Sequence, residues 1–130
     1  MAIKVKKVTV TSAELLAINA TPKEMLAAPA AGYVNNILAI THNLDFVSAA
    51  YAAFTVLYYY TFGIPSSTNQ FAQDSNSLAN VVDAEMPLIK RNSTLGTTAT
   101  ALMLSALGDP TTGDSDLIAY IVYETKLIEV

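Results

Sequence analysis

The chain contains no cysteine and no tryptophan. Without thiols, disulfides, thiolate metal sites and cysteine nucleophiles are excluded, so stability has to come from packing or assembly. Charge is also scarce: Asp, Glu, Lys and Arg make up 14% of the 130 residues, against about 25% in an ordinary domain. Apolar residues account for 52%. Either Thr, Ser, Asn and Ala carry the surface, or part of it is covered by other chains, because obligate interfaces are depleted in charge. A net charge of −4 supplies no basic field for a phosphate backbone, and nucleic acid is not expected as a partner. The length suits a single domain, 1–130, able to bury roughly two thirds of its unfolded surface without staples.

Long hydrophobic segments are missing as well. The start is basic, but alternation at Val8-Thr9-Val10-Thr11 replaces the apolar core a secretion signal would need. The uncharged run 46–73 contains Ser48, Thr55 and Thr61 and is broken at Gly63-Ile64-Pro65. No membrane span is expected from it.

What the chain does have is β-branched and aromatic residues in alternation. The stretch 54–62, Phe-Thr-Val-Leu-Tyr-Tyr-Tyr-Thr-Phe, reads as a central strand because such side chains lose rotamer freedom in a helix and pack well on a pleated surface. A period of two puts Phe54, Val56, Tyr58, Tyr60 and Phe62 on one face and Thr55, Leu57, Tyr59 and Thr61 on the other. The first set is expected in the core, with Tyr59 as the surface candidate. Both faces are expected to meet protein.

The rest of the chain supplies covering strands. Residues 3–10 form a lysine-bearing edge strand, a place where charge discourages stray pairing. Ser12 is expected to cap one or two helical turns. Residues 23–28 run extended, and Pro29-Ala30-Ala31-Gly32 turns into a hairpin with the long strand 33–46. That strand places Leu38, Ile40, His42, Leu44 and Phe46 on one face and has the length to bend or bulge. The polar stretch 65–80, around Phe71, reads as an exposed loop of functional length. Residues 78–89 favour extended structure. Residues 97–106 and 115–124 form a closing hairpin around the turn 108–114. About seven strands with at most one short helix predict an all-β antiparallel sandwich, jelly roll or small barrel.

Candidate chemistry is sparse. His42, the single histidine, lies between Ile40 and Leu44 on an apolar face and reads as a packed or interface residue, since no nucleophile or orienting group is placed beside it. Asp109, Asp114 and Asp116 could gather oxygens for a hard cation, but their spacing fits no EF-hand and suits a solvated turn. Asp74, Asp83 and Glu85 have no glycosidase spacing, and Asn19 and Asn92 open chance glycosylation sequons. No catalytic, metal or cofactor residues are assigned, and no enzyme is expected. Tyr59 and Phe71 are the two candidate interaction residues.

The segment Val8-Thr9-Val10-Thr11-Ser12-Ala13-Glu14-Leu15-Leu16-Ala17-Ile18-Asn19-Ala20-Thr21-Pro22 and the Pro29-Ala30-Ala31-Gly32 turn resemble small proteins from the structural gene clusters of tailed bacteriophages. Leu44-Asp45-Phe46 and Asp116-Leu117-Ile118-Ala119-Tyr120-Ile121-Val122-Tyr123 are similar too, so that about half the chain carries the likeness. The resemblance implies a non-enzymatic β-sandwich of the virion, assembled in the bacterial host cytoplasm, such as a capsid decoration (cement) protein or head-fibre base. Its implied partners are itself, preferentially as a trimer, and the major capsid or other virion proteins. A glycan- or receptor-binding module using Tyr59 and the 65–80 loop, or a tail or connector protein, is the alternative.

Overall fold

A computed structural model describes residues 2–52, 57–61, 70–74, 84–87, 89–90, 97–106 and 108–128, with the backbone alone described for 70–74, 84–87, 89–90 and 97–98. In chain order the elements are β1 (Lys4–Val10), α1 (Ser12–Leu16), β2 (Lys23–Leu26), β3 (Tyr33–Asp45), β4 (Leu57–Tyr60), β5 (Gln70–Asp74), β6 (Ala84–Pro87), β7 (Ile89–Lys90), β8 (Thr97–Thr98), β9 (Leu102–Ala106) and β10 (Asp116–Leu127). The strands form two antiparallel sheets, so the all-β sandwich expected from alternation is present. The first sheet runs β1-β10-β3, with β6 and β8 on the far side of β3. The second runs β2-β9-β4-β5-β7.

Between the sheets lies a core of aliphatic residues contributed by both. Leu117, Ala119 and Ile121 of β10 are 0% exposed, as are Leu102, Leu104 and Ala106 of β9. Each buried Leu or Ile contributes about 1.5–3 kcal/mol relative to exposure, so these two strands carry much of the hydrophobic stabilisation.

Three expectations are corrected by the pairing. The turn at Pro29–Gly32 does not close a hairpin: β2 joins β9 in the second sheet and β3 joins β10 in the first, so the turn carries the chain across the sandwich. Gly32 enables the reversal with φ +86°, a conformation side chains other than glycine rarely adopt. Likewise β9 and β10 belong to different sheets, and the segment between them is a crossing rather than a hairpin turn. The stretch 65–80 is not simply a loop either, because β5 adds to β4 from within it. The expected strand over 78–89 is extended at β6, its residues 78–83 and 88 lying outside the described residues.

The long β3 does bulge. Val122 pairs with Ala39 and Tyr123 with Ile37, leaving Leu38 as the extra residue. Beyond it the inward parity changes, so that Asn35 and Ile37 face in on one side of the bulge and Ile40, His42 and Leu44 on the other. Leu38 itself is 45% exposed, which corrects its assignment to the apolar face. The helix is also capped one residue earlier than expected. Thr11, not Ser12, accepts from Glu14 N, while the Glu14 carboxylate accepts from Thr11 N, a complete capping box.

Candidate functional site

Of the expected strand 54–62, residues 54–56 and 62 lie outside the described residues; within Leu57–Tyr60, β4 is buried on both faces, and these four residues face the reverse of the sequence expectation. Tyr59, expected at the surface, is 0% exposed and sits with Leu57 in the core. Tyr58 and Tyr60 occupy the opposite face of the sheet, their ring centroids 5.9 Å apart. Burial raises the Tyr60 pKa, with a further contribution from Tyr58. Apolar content could not separate the faces because both carry large side chains.

Tyr59 reaches across the sandwich to His42 on β3. Its hydroxyl lies 3.3 Å from His42 Nδ1, with ring centroids 6.1 Å apart. Both residues are 0% exposed. The pair is a polar bridge between the sheets, consistent with a packed histidine, and buried polar groups joined this way fix how two sheets register. As an interaction residue Tyr59 is therefore misplaced; Phe71 falls at the β5 irregularity, between Ala72 paired with Tyr59 and Gln70 paired with Tyr60.

The three aspartates considered for a cation do not converge, and no cluster of metal-ligating side chains occurs among the described residues. Each instead accepts backbone N–H groups. Asp109 binds Asn19 N at 2.7 Å and Ala20 N at 3.3 Å; Asp116 binds Ser12 N at 3.0 Å. Asp114 takes Ser48 N and Ala49 N together with the Ser48 hydroxyl, contacts that hold its pKa below the usual carboxylate value, the hydroxyl foremost. Next to it, Tyr51 packs on Gly113 and donates its hydroxyl to the Ser115 carbonyl. These contacts strap residues 47–52 onto 109–115, reinforced by the Ala52–Thr111 bridge. Spacing could not reveal this, since the partner amides lie 65 to 104 residues away in sequence and meet only through the fold.

Two surface features remain as candidate sites. One is the outer face of the first sheet. Cross-strand register aligns Val5, Val122 and Ala39 in one row, then Lys7, Tyr120 and Thr41, then Thr9, Ile118 and Asn43. Leu38 is 45% exposed at the bulge on β3; across β10 from it, on the edge strand β1, Val5 is 62% exposed, with Ile3 just before the strand at 64%. Along this edge Lys4, Lys6 and Lys7 form no ion pair among the described residues, where the ion pairs are Lys23–Glu14 and Lys126–Glu124.

The other is a cleft of about 400 Å³ beyond the bulge. Its walls are Lys6, Tyr33, Asn35, Tyr123 and Thr125 from the first sheet and the segment 26–30 opposite. Asn35 is 3% exposed; its Nδ2 donates to the Ala27 carbonyl at 3.3 Å, and Thr125 Oγ1 donates to its Oδ1 at 2.8 Å. Lys4 Nζ lies 6.0 Å from the Tyr123 ring centroid. Sequence reading missed this site because it requires the bulge and the crossing of the Pro29–Gly32 turn together. No helix among the described residues is long and apolar enough to cross a membrane. Comparison with protein families, curated proteins and solved structures gave no match.

Proposed function

We propose that the chain is a non-enzymatic structural virion protein, a capsid decoration or head-fibre-base component that self-associates and contacts the major capsid or other virion subunits. The observation that supports this reading is the outer face of the first sheet, where Ile3, Val5 and Leu38 stand exposed beside Val122 and Ala39. An apolar surface of this kind suits burial against another copy, and the 14% charge content points the same way. The lysines constrain the geometry. Antiparallel pairing of β1 with its own copy would bring Lys4, Lys6 and Lys7 against their equivalents, so the copies meet through the face and leave that edge unpaired. A three-fold oligomer fits a capsid three-fold position, and weak contacts to several shell subunits then sum through multivalency.

The test is co-purification with particles. Wild-type protein added to particles lacking it should sediment with them in a fixed ratio, and a Val5→Asp, Leu38→Asp variant should lose this while keeping its far-UV circular dichroism. Wild-type protein that stays wholly in the soluble fraction contradicts the proposal.

A further inference from the structure

We propose that the cleft beyond the bulge binds a carboxylated sugar unit, a uronate or a sialate, with the carboxylate at Lys6. The volume of about 400 Å³ lies in the ordinary range for small-ligand sites. Its lining combines apolar walls at Leu26, Pro29 and the neighbouring alanines with two phenols, one amide, one hydroxyl and one ammonium. That combination matches a ring with an apolar flank and several hydroxyls better than it matches a purely apolar acid, which would leave the convergent polar groups facing hydrocarbon.

Charge selects the acidic sugar over a neutral one. Among the described residues Lys6 is the one charged residue of the lining and no carboxylate lines the cleft, while Lys4 adds a second positive charge above the Tyr123 ring. In a chain of net charge −4 this is a local reversal of sign. A ligand carboxylate supplies the missing anion through a charge-assisted hydrogen bond.

The floor is built in advance of any ligand. The register shift at Leu38 turns Asn35 inward, where the Ala27 carbonyl and the Thr125 hydroxyl fix its amide. The same shift sends Asn36 outward to Glu124. Bulges re-aim side chains in this manner beside binding sites, and a fixed amide loses little entropy on engaging sugar hydroxyls. Tyr33 and Tyr123 flank the opening with phenol groups able to donate and accept. The site is distinct from the buried Tyr59, and it does not depend on self-association.

The experiment is a titration of ¹⁵N-labelled protein, followed by amide shifts, with trigalacturonate, its neutral methyl ester, and the methyl glycoside of N-acetylneuraminic acid. The expected result is saturable shifts at Lys6, Ala28, Ala30, Tyr33, Asn35 and Tyr123 with at least one of the acids, and binding roughly tenfold weaker for the ester and for Lys6→Gln with the acid. Lys6 lies exposed on β1, so the variant should melt as wild type does. Response to the uronate supports an internal chain unit and response to the sialoside a terminal one. Equal affinity for acid and ester, an unaffected Lys6→Gln variant, or no shift at these residues with either acid at about 10 mM overturns the proposal.

Discussion

Replacing Gly113 by Ala should destabilise the protein through a single contact. A Cβ built on Gly113 falls 2.2 Å from Tyr51 Cδ1 and 2.3 Å from Cε1 and Cγ, far inside van der Waals distance. The ring has little freedom to retreat, because Tyr51 is 4% exposed and its hydroxyl is held by the Ser115 carbonyl. Overpacking of this type costs about 1–3 kcal/mol, which urea denaturation followed by circular dichroism resolves and which lowers the melting temperature by about 3–5 °C per kcal/mol. The cause is isolated by a double-mutant cycle. In a Tyr51→Ala background, itself costing about 3–5 kcal/mol, the Gly113 substitution should fall within about 0.5 kcal/mol of neutral. A Gly113→Ala variant as stable as wild type, or one whose cost persists without the Tyr51 ring, would refute the packing argument.

Other expected outcomes follow from the same contacts. Thr11→Ala removes the capping box and should cost about 0.5–2 kcal/mol in chemical denaturation, whereas Ser12→Ala should be closer to neutral. Leu38→Ala should change stability by less than about 0.5 kcal/mol while Ile40→Ala costs about 2–5 kcal/mol, and equal costs would place the bulge wrongly. Burial first, then Asp116 and Asp114, pushes the Tyr51 phenol up to about 12, so the stability it contributes is intact below its ordinary value of 10 and lost as pH rises from there through about 12. Absorbance at the phenolate band should show Tyr51 titrating late, a step that Tyr51→Phe removes, while Tyr60 also titrates above its ordinary value. Asp114 shifts the opposite way, so its contribution is present above 3.8 and lost as pH falls through the lowered value; Asp114→Asn should flatten the acid limb of a stability–pH curve.

The sandwich was legible in the sequence because inward residues of β9 and β10 alternate cleanly, each Leu, Ile or Ala of the buried set separated by a residue less buried or bound to a neighbouring segment. β1 was also legible as an edge, since lysines mark it. Pairing was not. Nearness along the chain suggested two hairpins, but the deciding energy is burial between sheets, which sends β2 to β9 and β3 to β10. On β4, Leu57 and Tyr59 compete with Tyr58 and Tyr60 for the core at nearly equal apolar area, so alternation alone could not choose the inward pair. The His42–Tyr59 bridge shows what settles it: a buried imidazole on the facing sheet gives the Tyr59 hydroxyl a partner. The end cleft was illegible for a related reason, because Asn35 turns inward only through a register shift that no residue type announces.

The proposed function depends first on self-association, and the solution mass tests it most directly. Light scattering on a sizing column, run across about two decades of micromolar concentration, should give a closed oligomer, a trimer, whose mass does not change on dilution while Val5→Asp, Leu38→Asp gives the monomer. A wild-type mass equal to one chain at every concentration would contradict the account.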